Sequence, residues 1–201
     1  MKYLILNLLL LVSTYGFSQE IEFGFSGGTG FAYIAESLDS NVDMNFNAPV
    51  VLAAALTYKP KESNFGIRLS YQNLDAGIEG IDWQFGFHSG ERFKGSIENR
   101  TLLLGLEYLK EIKKLNYGYH FSIGQTNERI NFDRTGNLNV ENSFMVVNFG
   151  ALIKYSLNEK LALSLEPTFL WNDPINSFSG DYRLGGEDIN LLFLLGVKYR
   201  L

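Results

Sequence analysis

The feature that most constrains this chain is a two-residue alternation of apolar side chains, repeated in eight separate segments. A period of two puts alternate side chains on opposite faces of an extended strand. Residues 20–33 set Ile21, Phe23, Phe25, Phe31 and Tyr33 against Glu22, Gly24, Ser26, Gly28 and Gly30. Residues 50–59 carry Val50, Leu52, Ala54, Leu56 and Tyr58, and residues 65–72 set Phe65, Ile67, Leu69 and Tyr71 against Gly66, Arg68, Ser70 and Gln72. Residues 101–109 set Leu102, Leu104, Leu106 and Tyr108 against Thr101, Leu103, Gly105 and Glu107.

The second half continues in the same way. Tyr117, Tyr119, Phe121 and Ile123 oppose Asn116, Gly118, His120, Ser122 and Gly124. Met145 to Tyr155 on odd numbers oppose Asn148, Gly150 and Lys154, and Leu161, Leu163, Leu165, Phe169 and Trp171 oppose Ala162, Ser164, Glu166 and Thr168. The last segment sets Ile189, Leu191, Phe193, Leu195, Val197, Tyr199 and Leu201 against Asn190, Gly196, Lys198 and Arg200, with Leu192 and Leu194 blurring its polar face.

An even number of strands, each near the roughly 9–11 residues that cross a bilayer at a tilt, predicts a membrane barrel. Short connections fall at Lys59–Asn64, Lys110–Leu115 and Asn158–Lys160, and long ones at Ile34–Pro49, Asn73–Arg100, Thr126–Asn142 and Asp173–Asp188. That asymmetry matches short periplasmic turns and long outer loops. The expected fold is all-β, an eight-stranded antiparallel up-and-down transmembrane β-barrel, with both termini periplasmic. Closure leaves no unpaired backbone edge in lipid. Tyr58, Phe65, Tyr108, Tyr117, Tyr155 and Tyr199 lie on the apolar face beside the short turns or the C-terminus and form an expected membrane girdle. Phe31, Tyr33, Tyr71 and Trp171 sketch the opposite one.

Residues 1–18 read as a cleaved signal peptide: Lys2 supplies a positive end, Leu4 to Val12 an apolar core, and Gly16-Phe17-Ser18 a cleavage site. Residues 19–201 form the barrel domain. The absence of cysteine removes disulfides, thiolate metal sites, cysteine nucleophiles and a lipoprotein anchor. A net charge of −5 argues against a nucleic-acid partner.

The segment Ile189–Leu201, alternating to its end with Tyr199 two residues before the terminus, resembles the C-terminal recognition strand of bacterial outer-membrane proteins. In that group the last residue is usually aromatic; here it is Leu201. Residues 20–201 as a whole resemble the small-barrel group that includes the OmpA transmembrane domain, OmpX and the PorT-like proteins. The resemblance implies a Gram-negative outer-membrane location, contact with outer-membrane lipids, and engagement of the barrel-assembly machinery through Phe193, Val197, Tyr199 and Leu201.

The alternative is a soluble periplasmic lipocalin-like binder, in which the apolar face points inward. The polar face here is mostly Gly, Ser, Ala, Thr and Asn, which suits a crowded interior better than a solvated surface. Eight strands leave an interior just wide enough for side chains, and so many large rings would overfill it.

The polar face also carries Glu22, Arg68, Glu107, His120, Lys154, Glu166, Lys198 and Arg200, nearly all toward the short turns. Both signs are present, so the expectation is a lumen network of ion pairs rather than an ion pathway. His120 and Ser122 share a face and are similar to the pair of the barrel lipid A deacylases, but they point into the lumen near the short-turn end, and Ile123 stands where that family has a polar amide. No catalytic residue is assigned.

The long connections are acidic (Glu36, Asp39, Asp43, Asp75, Glu79, Asp82, Asp181, Glu187, Asp188) but lack calcium-loop spacing, so no metal or cofactor is expected. Residues 77–87 of the second long connection alternate again, as a β-ribbon extending the barrel above the membrane would, and Trp83, Phe85 and Phe87 share a face there as a candidate interaction strip for an unknown partner. The expected function is a small non-porin outer-membrane barrel protein, structural, adhesive or surface-interacting and not an enzyme. The rivals are a subunit of a secretion or transport apparatus and an enzyme acting on lipid A or phospholipid.

Overall fold

The computed structural model describes residues 19–34, 42–82, 91–133, 139–174 and 188–201. The signal segment 1–18, the strip Trp83, Phe85 and Phe87, and the loop acids Glu36, Asp39, Asp181 and Glu187 lie outside the described residues.

The strands in chain order are β1 (Gln19–Ile34), β2 (Val42–Phe46), β3 (Val50–Pro60), β4 (Phe65–Asp82), β5 (Glu91–Ile112), β6 (Leu115–Phe132), β7 (Asn139–Ser156), β8 (Leu161–Asn172) and β9 (Asp188–Arg200). Neighbours pair antiparallel in the order β1, β3, β4, β5, β6, β7, β8, β9, and β9 pairs back onto β1 from Glu22↔Arg200 to Ile34↔Asp188. The sheet is therefore a closed eight-stranded antiparallel barrel, with β2 extending the stave that β3 begins.

The junction of β2 and β3 follows from one extra residue. Phe46 pairs with Ile78 and Val50 with Asp75, so three residues, 47–49, face two on β4. This is a bulge, and Pro49, which has no N–H to give a ladder, sits in it. An inserted residue reverses which parity faces inward. Val51 and Ala53 point into the barrel below the bulge, and Phe46 packs against the same core above it.

At one end the connections are tight. A two-residue loop joins Ile112 to Leu115, and residues 61–64 and 157–160 make the other two turns. Glu62 and Lys113 take φ of 63° and 54° there, as sharp reversals demand. Gln19 and Arg200 lie at this short-turn end as well.

The large apolar side chains point outward. Phe25, Leu104, Phe121 and Leu195 are 63%, 57%, 49% and 67% exposed, which reverses the geometry a soluble barrel needs. On β7 the outward belt runs from Met145 to Tyr155. Ten steps of about 3.3 Å at a tilt of about 40° give roughly 25 Å, the height of the apolar band on an outer-membrane barrel. The six girdle aromatics sit on this outer face at its lower margin. Phe65 and Tyr108 approach to 5.0 Å between ring centroids, and Tyr108 stacks on Tyr119 at 5.2 Å.

Above the belt the strands continue, as the renewed alternation from residue 77 suggested for β4 and β5, and beyond the sequence pattern for β6 and β7 and for the short strand β2 in the expected connection Ile34–Pro49. Most of Asn73–Arg100 and Thr126–Asn142, expected as connections, is paired strand: β4 and β5 stay in register from Phe65↔Tyr108 to Asp82↔Glu91. The reason is a reversal of polarity at constant parity. On β6 the outward series Tyr117, Tyr119, Phe121, Ile123 gives way to Gln125, Asn127 and Arg129, while the inward series turns from His120 and Ser122 to Ile130 and Phe132. Leu74, Ala76, Ile78, Phe93, Ile97, Ile130, Phe132, Leu192 and Leu194 form a buried core in the upper barrel. The two leucines that blur the polar face of the last strand belong to this core, and Leu103 joins Val146 and Leu170 in a second cluster. Within the belt the barrel is apolar outside and mixed inside, with its charged groups toward the short turns; above it β4, β5, β6 and β7 are polar outside and largely apolar inside, as in water-soluble β-structure.

Candidate functional site

The lower lumen collects charged side chains from opposite walls. Glu22 (β1), Thr57 (β3), Arg68 (β4), Glu107 (β5), His120 (β6), Lys154 (β7), Glu166 (β8) and Lys198 (β9) supply one group from each stave. Arg68 Nη1 reaches Glu107 Oε2 at 3.1 Å and Nη2 reaches Glu166 Oε2 at 2.6 Å. Lys154 Nζ lies 2.6 Å from Glu22 and 3.1 Å from Glu107, and Lys198 Nζ lies 2.7 Å from Glu166. Thr57 Oγ1 donates to Glu107 at 3.4 Å. Three cations thus face three carboxylates, and every carboxylate touches at least one cation, the condition under which buried charge is tolerated.

Two glycines make the space. A Cβ on Gly24 would stand 2.7 Å from Lys198 Cδ, and one on Gly150 would meet the His120 ring. His120 is buried, and neither of its ring nitrogens has a hydrogen-bond partner among the described residues. Ser122 is buried in the same lumen. Below this layer a second ring closes the mouth: Lys59 binds Glu111 at 2.6 Å and Glu20 at 3.6 Å, and Arg200 reaches Glu20 at 3.7 Å and Glu111 at 3.6 Å. Arg200 therefore belongs to the mouth and not to the deeper network.

The terminal strand β9 pairs with β1 on one side and β8 on the other, closing the sheet. Its Phe193, Val197, Tyr199 and Leu201 all face outward.

The upper wall holds a group that the sequence pattern did not single out. Glu128 of β6 points inward, above the last outward apolar residue of its strand, Ile123, and is buried. Asn142 Nδ2 donates to its Oε1 at 3.2 Å, and the Asn99 amide, with its nitrogen toward the carboxyl, donates to Oε2 at 3.2 Å. Two neutral donors do not offset the loss of water, and burial pushes the Glu128 carboxyl up to about 7. The signal was present in the continued parity of β6, but a segment read as a loop has no inside.

Glu128 sets a pH dependence. Its carboxyl loses its proton near 4.5 when unfolded and near 7 when folded, so in that window the folded barrel binds more protons. Stability attributable to this group should fall as pH rises from about 4.5 to about 7, by on the order of 3 kcal/mol in total. Urea unfolding of the refolded barrel at pH 5 and pH 8 measures it: Glu128→Gln should remove the part of the difference that this carboxyl causes. An identical pH response in wild type and Glu128→Gln would assign the effect elsewhere.

On the outer side of the same wall, a groove of about 310 Å³ runs between Glu98, Arg100, Arg129 and Glu141. Arg129 bridges to Glu141 at 2.7 Å and Arg100 to Glu98 at 2.7 Å, so each arginine is paired with a carboxylate, and Glu128 adds a third carboxyl to the lining. Among the described residues, no group of three or more His, Asp or Glu side chains is placed to hold a metal.

No protein-family model matches the sequence, and no curated relative matches it. Solved structures match the fold over nearly its whole length. Neisserial surface protein A gives a TM-score of 0.58 at 5% identity, covering 91% of this chain and 97% of that one. The attachment invasion locus protein Ail of Yersinia pestis, crystallised with the heparin analogue sucrose octasulfate, gives 0.55 at 11% identity, covering 92% and 99%. A major outer membrane protein of Thermus thermophilus gives 0.55 at 15% identity, covering 90% and 99%. The chain has the fold of the small outer-membrane barrels. At these identities the likeness is one of architecture, and the roles of particular residues rest on the geometry of this barrel alone.

Proposed function

We propose that this chain is a small non-porin outer-membrane barrel protein whose role is structural, adhesive or surface-interacting. The observation that carries this reading is the reversal of polarity along β4, β5, β6 and β7. A surface apolar over about 25 Å and then polar belongs to a wall that leaves a bilayer and enters water. The short turns, and with them Gln19 and Arg200, face the periplasm, and the extended wall faces the exterior. The paired lumen network closes the barrel to solutes.

His120 and Ser122 do no chemistry in this reading. Both are buried in the lumen, on the face away from lipid, and neither ring nitrogen of His120 has a hydrogen-bond partner among the described residues. The surface role falls to the wall above the belt. Ail was crystallised with a polyanion. The outer groove here pairs each arginine with a carboxylate, so it suits a neutral polar or zwitterionic partner better than a polyanion.

Cell fractionation with mild protease added to intact cells tests the placement. The protein should remain with the outer membrane and be cut only above the belt. A soluble periplasmic protein, or cleavage confined to the short turns, would overturn the membrane reading or its orientation respectively. In planar bilayers the purified barrel should show no steady conductance. A stable open channel would replace the closed lumen with a pore.

A further inference from the structure

The side-chain charges of this acidic chain are unevenly placed. At the short-turn end stand Lys59, Lys61, Lys110, Lys113, Lys114, Lys160 and Arg200 against Glu20, Glu62, Glu111 and Glu159. Lys59, Arg200, Glu20 and Glu111 pair with one another in the mouth. That leaves five lysines and two glutamates, an excess of three positive charges on a chain whose net charge is −5.

Four of the lysines lie on one arc. Lys110 is on the outward face of β5, opposite Tyr117. Lys113 and Lys114 form the next turn, which is tied to β7 by the Ser156 N–H donating to the Lys114 carbonyl at 2.8 Å. Lys160 follows on the adjoining turn, fixed to β9 by the Arg200 N–H donating to its carbonyl at 2.7 Å, and its Nζ stands 6.0 Å from the centre of the Tyr199 ring. All four side chains are exposed, and none has an ion-pair partner among the described residues. Inside the arc, a recess of about 340 Å³ forms the mouth of the lumen, where Lys113, Lys114 and Lys160 stand at the rim and Glu22, Lys154 and Lys198 lie deeper. Beside the lysines, exposed apolar side chains continue the belt: Ile112, Leu115, Tyr155 and Leu157 are all 45–50% exposed.

Unpaired ammonium groups just beyond an aromatic girdle, with apolar side chains between them, match the cross-section of a lipid leaflet. Acyl chains contact the apolar residues, and the long lysine stems carry charge out to the headgroups. We propose that this arc is a binding surface for anionic phospholipid, with Lys110, Lys113, Lys114 and Lys160 holding the headgroup phosphate. The proposal rests on the membrane placement above and adds the chemical class of lipid at the short-turn rim. Lipid is favoured over an acidic protein because Lys110 lies on the outward face among belt residues, where a protein in the periplasm would have to enter the leaflet to reach it.

The test uses the full barrel refolded into phosphatidylcholine vesicles and then extracted in mild detergent. An equimolar mixture of phosphatidylglycerol and phosphatidylcholine of matched acyl chains is added, and bound lipid is read by native mass spectrometry. Phosphatidylglycerol should be retained roughly tenfold or more over phosphatidylcholine, and K110Q/K113Q/K114Q/K160Q should bring the ratio to within about twofold of unity. A heat-modifiable band on gel electrophoresis shows whether each protein has folded; the single variants K110Q and K160Q, each with a partial loss, serve if the quadruple variant does not fold. Failure of the wild type to insert into phosphatidylcholine would overturn the membrane placement itself. Insertion without preference for phosphatidylglycerol would overturn the lipid surface alone. An acidic peptide that bound the inserted barrel through these lysines, with no lipid preference, would reassign the arc to a periplasmic protein.

Discussion

Arg68→Ala should lower the unfolding free energy of the barrel by about 3–5 kcal/mol, the usual cost of removing one partner from a buried ion pair. The guanidinium reaches two carboxylates on different staves, Glu107 and Glu166, and both are almost fully buried. Its loss leaves Glu22, Glu107 and Glu166 facing Lys154 and Lys198 alone, an excess of one negative charge in a closed lumen. Glu166→Gln in the same chain restores the balance, so the double variant should recover part of the loss, and the cycle should show a clear coupling between the two positions. Urea unfolding of refolded protein, followed by tryptophan fluorescence, reads the effect. A midpoint unchanged by Arg68→Ala would mean that water or rearranged lysines compensate, and that the network is not what holds the lower barrel together.

Leu69→Arg should cost roughly 2–4 kcal/mol, because it puts a charge on the lipid face near mid-belt. Leu69 is the third of four outward apolar residues on β4, after Phe65 and Ile67 and before Tyr71, and its cross-strand neighbours are Leu56 and Leu104. The neighbours offer no carboxylate, and lipid offers no water. Asp75→Arg, on the same face of the same strand but above the belt, is the control. There the new side chain lies opposite Glu98 in water, and the change should stay within about 1 kcal/mol. Unfolding in lipid vesicles compares the two. Equal effects at both positions would erase the boundary between belt and upper wall, and with it the argument for a bilayer.

The two substitutions draw on different levels of information. Leu69 and its partners could be placed on the outer face from alternation alone, because parity is a local property of an extended chain and survives whatever the strand pairs with. The inward position of Arg68, Glu107 and Glu166 follows from the same parity. Which acid each base would meet does not, since Arg68 lies 39 residues from Glu107 and 98 from Glu166. That choice depends on the stagger of eight staves and on glycines such as Gly24 and Gly150, which leave room across the lumen.

The upper wall shows the same division more sharply. Ile78, Phe93 and Ile130 keep the parity of their strands, yet their chemistry differs from that of the charged groups which hold the same parity lower down. In Thr126–Asn142 the alternation fades with that change, and the segment resembles a loop. Parity says which side chains share a face; it cannot say whether that face meets lipid, water or the opposite wall. The sequence by itself determined the eight staves though not the short strand β2, which falls in the expected connection Ile34–Pro49; it also determined the two faces of each stave in the belt, the tight turns and the end of the barrel where lysine accumulates, since each is decided by residues adjacent along the chain. Only the tertiary structure decided the ion-pair partners, the bulge at Pro49, the height of the wall above the belt and the burial of Glu128. Each of those depends on residues that closure alone brings within reach.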